Sequence, residues 1–315
     1  MVPRAKLDLT PESPTPLINN YKKGVFPADC LVFGFTVLML LIGITNYSRL
    51  GKPYTWISTD CGIIIVLLML IFKETHEERR FFYWLHFFWP IISLAFLYTQ
   101  CTSWDNLIFP NTFDPVLIKW DLGLFGSSLN KALASSVNSL WLDELMHFLY
   151  FSYYLVVFLT FVWMLGRRQP QAYELIFSLT LMMYFHFIFF MIFPSDGPLA
   201  DRNDLFNQGV VFIPLMDFIY GVSEQNGGGA FPSTHVSAAV VVAIYTFKNS
   251  PKLRIPIGGL CLGIIISTVY CSYHYAIDAA AGIITGTLFY FLGKYIYNHR
   301  FQPVNLSLFM PQKSI

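Results

Sequence analysis

The stretch of sequence that decides the fold covers residues 227–278 and reads GGGAFPSTHVSAAVVVAIYTFKNSPKLRIPIGGLCLGIIISTVYCSYHYAID. It contains two long apolar runs, each approaching the length that a helix needs to cross a bilayer. Ionisable residues, including His235, His274 and Asp278, lie at the ends of these runs. Ionisable groups at such places are costly in a membrane and usually have a function. The stretch therefore predicts membrane helices with reactive side chains at their ends.

The composition of the whole chain agrees with this interpretation. Of its 315 residues, 55% are hydrophobic and only 12% are charged, and the mean hydropathy is +0.53. A soluble domain carries about 25% charged residues, so we expect a polytopic membrane protein. The net charge of +1, without any basic stripe in the sequence, argues against a nucleic-acid-binding protein.

Eight segments are apolar enough to cross a bilayer. They lie near residues 29–47, 57–73, 81–99, 141–165, 173–194, 231–247, 253–271 and 274–297. A chain that crosses a bilayer must satisfy its own backbone hydrogen bonds, and this condition selects helices. We therefore expect an all-α integral membrane protein with about eight transmembrane helices.

The basic residues predict the orientation of the chain. With a cytoplasmic N-terminus, 15 of the 20 Lys and Arg residues fall in cytoplasmic segments and five fall outside. This bias, together with the even number of spans, predicts that both termini lie in the cytoplasm. The loops 100–140 and 195–230 are then extracytoplasmic, as are His235 and His274. We expect the chemistry to face that side of a cell or inner membrane.

His274 and Asp278 are four residues apart, so on a helix they would share one face. A carboxylate at that place can accept the ring N–H and leave the other nitrogen free as a nucleophile or base. The alternative is a buried pair that only links helices. The spacing by itself does not separate these two interpretations.

The segment before His235 is typical of an anion-binding turn. Gly229 and the two glycines before it let the backbone approach a ligand closely. A helix that starts after Pro232 would offer free N–H groups and a favourable dipole to a phosphate. Ser233 and Thr234 add hydroxyl donors, and His235 is placed to protonate a leaving alkoxide.

Two other interpretations of these residues remain open. The turn could be an ordinary Gly-rich loop ahead of a helix. Two His and one Asp could bind a metal, but a Gly, Ser and Thr turn has no purpose at a metal site, and no further Cys or His cluster adjoins it. We therefore expect no metal and no cofactor. His86, His147 and His186 lie in apolar aromatic spans and are interpreted as packing or inter-helix hydrogen-bonding residues.

These motifs resemble two signatures of the type 2 phosphatidic acid phosphatase superfamily. The Pro-Ser-Thr-His run at residues 232–235 is similar to its second signature, usually Pro-Ser-Gly-His. Ser267, His274 and Asp278 match the spacing of its third signature, Ser-Arg-x5-His-x3-Asp. The resemblance implies that the last six spans, roughly residues 81–297, form a six-helix core.

The resemblance also implies roles for individual residues. His274 would be the nucleophile that forms a phosphohistidine, and Asp278 would orient it. His235 would act as the general acid, and Ser233 would help to hold the phosphate. The family needs no metal for this chemistry.

Two departures from the signatures point to one branch of that superfamily. The Arg of the third signature is Thr268 here, and the first signature, Lys-x6-Arg-Pro, is absent. In its place residues 193–202 read FPSDGPLADR, which resembles the Pro-x-x-x-Pro stretch of a branch containing inositol phosphorylceramide synthases. That branch also tends to lose the third-signature Arg, and residues 274–278 look like its His-Tyr-x-x-Asp motif.

The missing cations favour a singly charged substrate. A phosphate monoester carries nearly two negative charges and calls for several Arg or Lys, whereas a phosphodiester lipid carries one. Of the five basic residues outside, only Arg202 lies near the signatures, so we expect Arg202 to contact the substrate. The sequence therefore favours head-group transfer or phosphodiester cleavage over phosphatidate hydrolysis.

Together these features predict a metal-independent membrane lipid phosphatase or phosphotransferase. Its substrate would be a lipid or lipid-linked phosphoester, and its acceptor would be water or a lipid hydroxyl. The alternative is a catalytically inactive lipid-binding or transport protein of the same fold, because intramembrane ionisable residues also mark transport paths. Residues 1–80 are expected to form a cytoplasmic tail and two accessory helices, and residues 81–315 the six-helix core.

Overall fold

The computed structural model describes residues 24–76, 80–167, 169–206, 208–222 and 227–301. Within these ranges the regular structure is helical, apart from an isolated bridge between Ser195 and Gly229. The α-helices of the described residues are α1 (Pro27–Thr45), α2 (Pro53–His76), α3 (Arg80–Ser103), α4 (Asp114–Phe125), α5 (Leu129–Ser136), α6 (Leu140–Gly166), α7 (Gln171–Ile192), α8 (Leu199–Leu205), α9 (Phe212–Val222), α10 (Thr234–Asn249), α11 (Arg254–Tyr270) and α12 (Ala276–Arg300).

Seven helices in the described part of the chain are long and apolar enough to cross a membrane, namely α1, α2, α3, α6, α7, α11 and α12. They coincide with seven of the eight predicted spans, and the prediction of an all-α integral membrane protein is confirmed. The eighth predicted span, residues 231–247, is represented by α10, which has only 16 residues. At 1.5 Å per residue α10 is about 24 Å long, whereas the hydrocarbon core of a bilayer is about 30 Å thick.

The late start of α10 explains its short length. The Gly-rich loop and Pro232 precede it, and Ser233 adopts an extended backbone as the N-cap of the helix. The Ser233 hydroxyl oxygen accepts the N–H of Val236 at 3.4 Å, which is a common way to begin a helix. The first three residues of the predicted span, 231–233, therefore belong to the loop before α10.

Two glycines allow α10 and α12 to pack closely. A Cβ atom on Gly286 would lie 2.5 Å from the carbonyl oxygen of Ser237, and one on Gly282 would lie 2.9 Å from the carbonyl oxygen of Ser233. The Ser237 hydroxyl donates across this contact to the Gly282 carbonyl at 3.0 Å. At the N-terminal ends, the Ser233 N–H donates to the Asp278 carbonyl at 3.1 Å. The close packing thus joins the two histidine segments, which are the residues around His235 and those around His274.

Of the first two long helices, α1 packs against α2, α3 and α7, and α2 packs against α1 and α3. His86 of α3 links all three N-terminal helices, because its Nε2 lies 2.9 Å from the Asp29 carboxylate and its Nδ1 bonds to Glu74. All three side chains are buried, so His86 is an inter-helix hydrogen-bonding residue, as interpreted from the sequence. The division into residues 1–80 and 81–315 stays a prediction.

The predicted loops 100–140 and 195–230 contain short helices. Helices α4 and α5 come from the first loop, and α8 and α9 come from the second. α4 packs against α12, α5 against α11, and α9 against α6, so these elements cover the ends of the long helices beside the two histidine segments. The predicted N-terminal tail, residues 1–28, lies mostly outside the described residues, and the side of the membrane on which the termini lie stays a prediction.

Candidate active site

His274 is buried and lies in the loop before α12, not on the helix itself. The prediction that His274 and Asp278 share one helix face is wrong in this respect, because α12 begins only at Ala276. The two side chains meet through the start of the helix instead. The Asp278 carboxylate accepts the N–H of Tyr275 at 2.9 Å, and the same oxygen, Oδ2, lies 3.5 Å from Nδ1 of His274.

This geometry leaves one nitrogen of the His274 ring available. Nδ1 faces the carboxylate, so Nε2 is the nitrogen that can act as a nucleophile or base. The loop itself is held by a bond from the His274 N–H to the Thr268 carbonyl at 3.2 Å. Ser272 reverses the chain with a φ of +56°, in the left-handed region that is uncommon for residues other than glycine.

His235 is the second residue of α10 and is half-buried. Its ring centroid lies 6.1 Å from that of His274. On its other sides the imidazole packs against Tyr150 and Tyr153 of α6, with centroid distances of 4.8 and 4.5 Å. The structure therefore brings His235 and His274 together, although 38 residues separate them in the sequence. Their catalytic roles stay a prediction.

A pocket opens next to His274. Its walls include one of the predicted phosphate-binding residues, Gly229, and several residues that the sequence did not single out, namely Tyr98, Asp196, Tyr220 and Tyr273. None of the described residues that line the pocket is a Lys or an Arg. A phosphoester in this pocket would lie beside the imidazole of His274, without a Lys or Arg in the pocket wall.

The three glycines of the loop 227–229 are needed for close packing around this pocket. Gly227 and Gly228 have φ values of +101° and +82°, which residues with a Cβ rarely adopt. A Cβ atom added to Gly227 would also lie 2.1 Å from an Asp196 oxygen, and one added to Gly229 would lie 3.1 Å from the Tyr98 hydroxyl. The glycines therefore bring the backbone against the side chains of the pocket.

Ser233 and Thr234, the predicted hydroxyl donors, are both buried. The Ser233 oxygen caps α10, and its N–H is used by the Asp278 carbonyl. Ser233 therefore joins the N-terminal ends of α10 and α12, and its contact with a phosphate stays a prediction. Thr234 is the first residue of α10, next to His235.

Arg202 of α8 lies beside the loop that carries His274, as its position in the sequence suggested. Its guanidinium is 4.9 Å from the ring centroid of Tyr273, the residue before His274. The same group forms an ion pair with Asp217 of α9, at 2.6 Å between Nη1 and Oδ1. Arg202 is buried, whereas Asp217 is partly exposed. The charge of Arg202 is thus partly offset before any substrate binds.

Carboxylates outside the predicted set of site residues organise the loops around the site. Asp114 accepts the N–H groups of Asp196 and Gly197, both at 2.9 Å. Asp196 in turn accepts the N–H of Gly228 at 2.9 Å. Asp121 accepts the N–H of Ile277 at 2.8 Å and so binds the first turn of α12. Each of these bonds spans more than 30 residues of sequence.

Asp196 is the carboxylate that lines the pocket. Burial raises the pKa of Asp196 above its ordinary value, the N–H of Gly228 opposes this change, and the nearby charge of Asp114 adds to it. A carboxylate beside the pocket repels an anion, and it repels a dianion more strongly than a monoanion. The local charge therefore agrees with the substrate preference inferred from the missing Arg and Lys.

The local sequence contains only weak signals for these additional residues. Asp114 before a proline and Ser-Asp-Gly at residues 195–197 are typical of helix starts and turns. Such patterns indicate that a carboxylate binds backbone N–H groups, but they do not identify which ones. Tyr150 lies within an aromatic-rich span where nothing distinguishes it from its neighbours. These contacts depend on how distant segments pack.

Comparison with known proteins agrees with the motifs. The sequence profile of the PAP2 superfamily matches residues 117–292. The chain is also similar to the inositol phosphorylceramide synthase catalytic subunit of Schizosaccharomyces pombe, with 23% identity over 214 residues that cover 61% of this chain and 50% of the relative. It thus spans about half the length of this curated relative. No solved structure matches the chain.

The resemblance drawn from the two signatures is therefore confirmed at the level of the family. The matched region contains the three residues with predicted catalytic roles, His235, His274 and Asp278. The match extends over more than half of the sequence, from α4 to α12. This chain belongs to the PAP2 superfamily.

Proposed function

We propose that the protein is a membrane lipid phosphotransferase or phosphatase that works through a phosphohistidine at His274. The observation that carries this proposal is the arrangement of His274. Its Nδ1 faces the buried carboxylate of Asp278 at 3.5 Å, its ring faces His235 at 6.1 Å, and it lies at the wall of a pocket. A nucleophile, an orienting group and an acid–base group close together are the requirements for covalent catalysis.

The first step is attack by the Nε2 lone pair of His274 on phosphorus. A phosphorus–nitrogen bond forms, and the bond from phosphorus to the leaving oxygen breaks with its electron pair going to that oxygen. His235 donates the proton that the leaving oxygen needs. Asp278 stabilises the positive charge that develops on the His274 ring, because its carboxylate lies 3.5 Å from Nδ1.

The second step returns the protein to its starting state. His235, now neutral, takes a proton from the acceptor hydroxyl as that oxygen attacks phosphorus and the phosphorus–nitrogen bond breaks. Water as the acceptor gives hydrolysis, and a lipid hydroxyl gives transfer. We include metal independence in the proposal, because the two histidines supply both the nucleophile and the proton.

The substrate that suits the pocket best is a phosphodiester lipid or a lipid-linked phosphodiester. The residues that line the pocket in the described structure include Asp196 and no Lys or Arg, and the guanidinium of Arg202 is paired with Asp217. When cations are scarce, a monoanionic phosphodiester loses less binding free energy than a dianionic monoester does. Head-group transfer is further supported by the similarity to an inositol phosphorylceramide synthase subunit.

The membrane orientation is part of the same proposal, with both termini in the cytoplasm and the active site on the extracytoplasmic face. Ser136 of α5 and Lys252, between α10 and α11, are exposed on opposite sides of the predicted topology. In a background without native cysteines, Ser136→Cys should react with an impermeant thiol reagent added to intact cells, and Lys252→Cys should not. The reverse labelling pattern would place the site in the cytoplasm.

Turnover by the purified full-length protein tests the chemistry. Vesicles that contain labelled phospholipids of different head groups should show released or transferred head groups, and the protein should carry an acid-labile phosphohistidine. His274→Ala should lose both signals. The matched control is His299→Ala, which changes an exposed histidine at the opposite end of α12 from Asp278.

Three outcomes would contradict parts of the proposal. Full activity in His274→Ala would assign the attack to another group. Loss of activity in excess chelator, restored by a divalent ion, would show that a metal takes part. Absence of any turnover in the wild-type protein, with tight lipid binding retained, would favour an inactive lipid-binding protein of the same fold.

A further inference from the structure

Tyr150 of α6 occupies the space between His235 and the loop that carries His274. It is fully buried, and its ring stacks on Tyr273 with a centroid distance of 4.0 Å and an angle of 12° between the planes. Its ring also packs against the imidazole of His235 at 4.8 Å. Tyr150 therefore contacts one reactive histidine directly and the other through the residue before it.

The hydroxyl of Tyr150 has two polar neighbours. It lies 3.3 Å from Nε2 and 3.4 Å from Nδ1 of His235. On its other side it is 2.7 Å from the hydroxyl of Tyr220, which belongs to α9 and lines the pocket beside His274. The three side chains come from α6, α9 and α10, so this chain of polar groups exists only in the folded protein.

We propose that Tyr150 is a positioning residue for His235, and that Tyr220 completes a hydrogen-bond chain that serves both protonation states of this histidine. The inference rests on the proposed function, in which His235 first donates a proton and then accepts one. The hydroxyl is nearly equidistant from the two ring nitrogens. His235 can therefore present either nitrogen to the reacting oxygen while the other one bonds to Tyr150.

A tyrosine hydroxyl suits this task because it can donate one hydrogen bond and accept others. When His235 is protonated, its ring N–H donates to Tyr150, and the Tyr150 hydroxyl donates to Tyr220. When His235 has given the proton of its substrate-facing nitrogen to the leaving oxygen, the other ring N–H still donates to Tyr150, so the free nitrogen stays turned towards the reacting oxygen and can take a proton in the second step. The Tyr150 hydroxyl and the His235 nitrogen that faces it therefore stay paired in both states, and an unpaired polar group in a buried site is costly.

Tyr150→Phe removes the hydroxyl and keeps the ring that stacks on Tyr273. Correct placement of a general acid contributes about 10²–10⁴-fold to a rate, so we expect a loss of roughly 10–100-fold in kcat for a dialkyl phosphodiester. An alkyl p-nitrophenyl phosphodiester has a leaving group that needs no proton. For this substrate the first step should be nearly unchanged, which the burst of nitrophenolate reports.

Tyr154→Phe is the matched control. Tyr154 lies on the same helix and also approaches His235, but only by the edge of its ring, at 6.4 Å, and its side chain is exposed. It should behave as the wild type with both substrates. Tyr220→Phe removes the second hydroxyl only and should give a smaller loss with the same dependence on the leaving group, which provides a second test if Tyr150→Phe folds poorly.

Nuclear magnetic resonance of histidine-labelled protein provides a readout that does not depend on turnover. In Tyr150→Phe the ring nitrogen signals of His235 should change in tautomer balance and in titration midpoint, whereas those of Tyr154→Phe should not. Equal losses with both phosphodiesters, or unchanged His235 signals, would overturn the positioning role. An inactive wild-type protein whose His235 signals still respond to Tyr150→Phe would contradict the proposed function but not this contact.

Discussion

Replacing Gly286 by Ala tests how strongly the chemistry depends on the close contact between α10 and α12. The new Cβ atom would lie 2.5 Å from the carbonyl oxygen of Ser237, whereas ordinary contacts begin at about 3.4 Å. The two helices must therefore separate locally by about 0.9 Å. Because α10 carries His235 and α12 carries Asp278, this movement displaces one half of the site from the other.

The expected loss of activity is larger than the expected loss of stability. Overpacking costs about 1–3 kcal/mol, but Ala is favoured over Gly in a helix by about 1 kcal/mol, so the net change in the free energy of unfolding is small. A misplacement of about 1 Å costs about 10²-fold in rate. We therefore expect kcat for a phospholipid to fall by about 10²-fold, with a shift in Tm of only a few degrees.

The assay compares kcat and Tm of purified Gly286→Ala with those of the wild type in the same vesicles. Gly62→Ala is the control, because a Cβ atom at Gly62 of α2 meets nothing within 4 Å, and it should leave kcat unchanged. Wild-type kcat in Gly286→Ala would refute the claim that the contact between α10 and α12 sets the geometry of the site. A large fall in Tm with normal kcat at low temperature would reduce its role to stability.

Three other perturbations have defined outcomes. Asp278→Asn should lower kcat by about 10⁴-fold, as for the orienting Asp of a catalytic triad. Its Tm should change little, because the amide oxygen can still accept the N–H of Tyr275. A loss of kcat below about tenfold would contradict the orienting role. Burial raises the pKa of Asp196, so a falling pH removes a negative charge from the pocket and should lower KM for an anionic lipid. Steady-state kinetics of Asp196→Asn should show a low KM that does not depend on pH in this way. An unchanged pH dependence of KM in this variant would assign the effect to another group. His86→Leu leaves two buried carboxylates without their partner and should cost about 3–5 kcal/mol, measured as a fall in Tm that the exposed-residue control His76→Ala does not show.

The structure places His235, His274 and Asp278 close together, and their catalytic roles stay a prediction, whereas the predicted geometry of His274 and Asp278 was partly wrong. Local patterns identified the two histidines and Asp278, because reactive groups at the ends of apolar runs stand out against their surroundings. The helical spacing suggested a shared face for His274 and Asp278. The structure shows that the carboxylate caps the start of α12 while His274 stays in the loop, which periodicity cannot distinguish from a helical pair.

The sequence by itself determined the class of protein, the approximate spans and the candidates for reactive residues, because each of these depends on composition or on neighbours within a few residues. Tertiary structure alone decided which side chains surround them. Tyr150 reaches His235 across 85 residues, and Asp121 binds the start of α12 across 156 residues. Helix packing, and glycines that permit close approach, determine which distant residues become partners. A hydrogen bond between such residues produces no periodic pattern in the sequence.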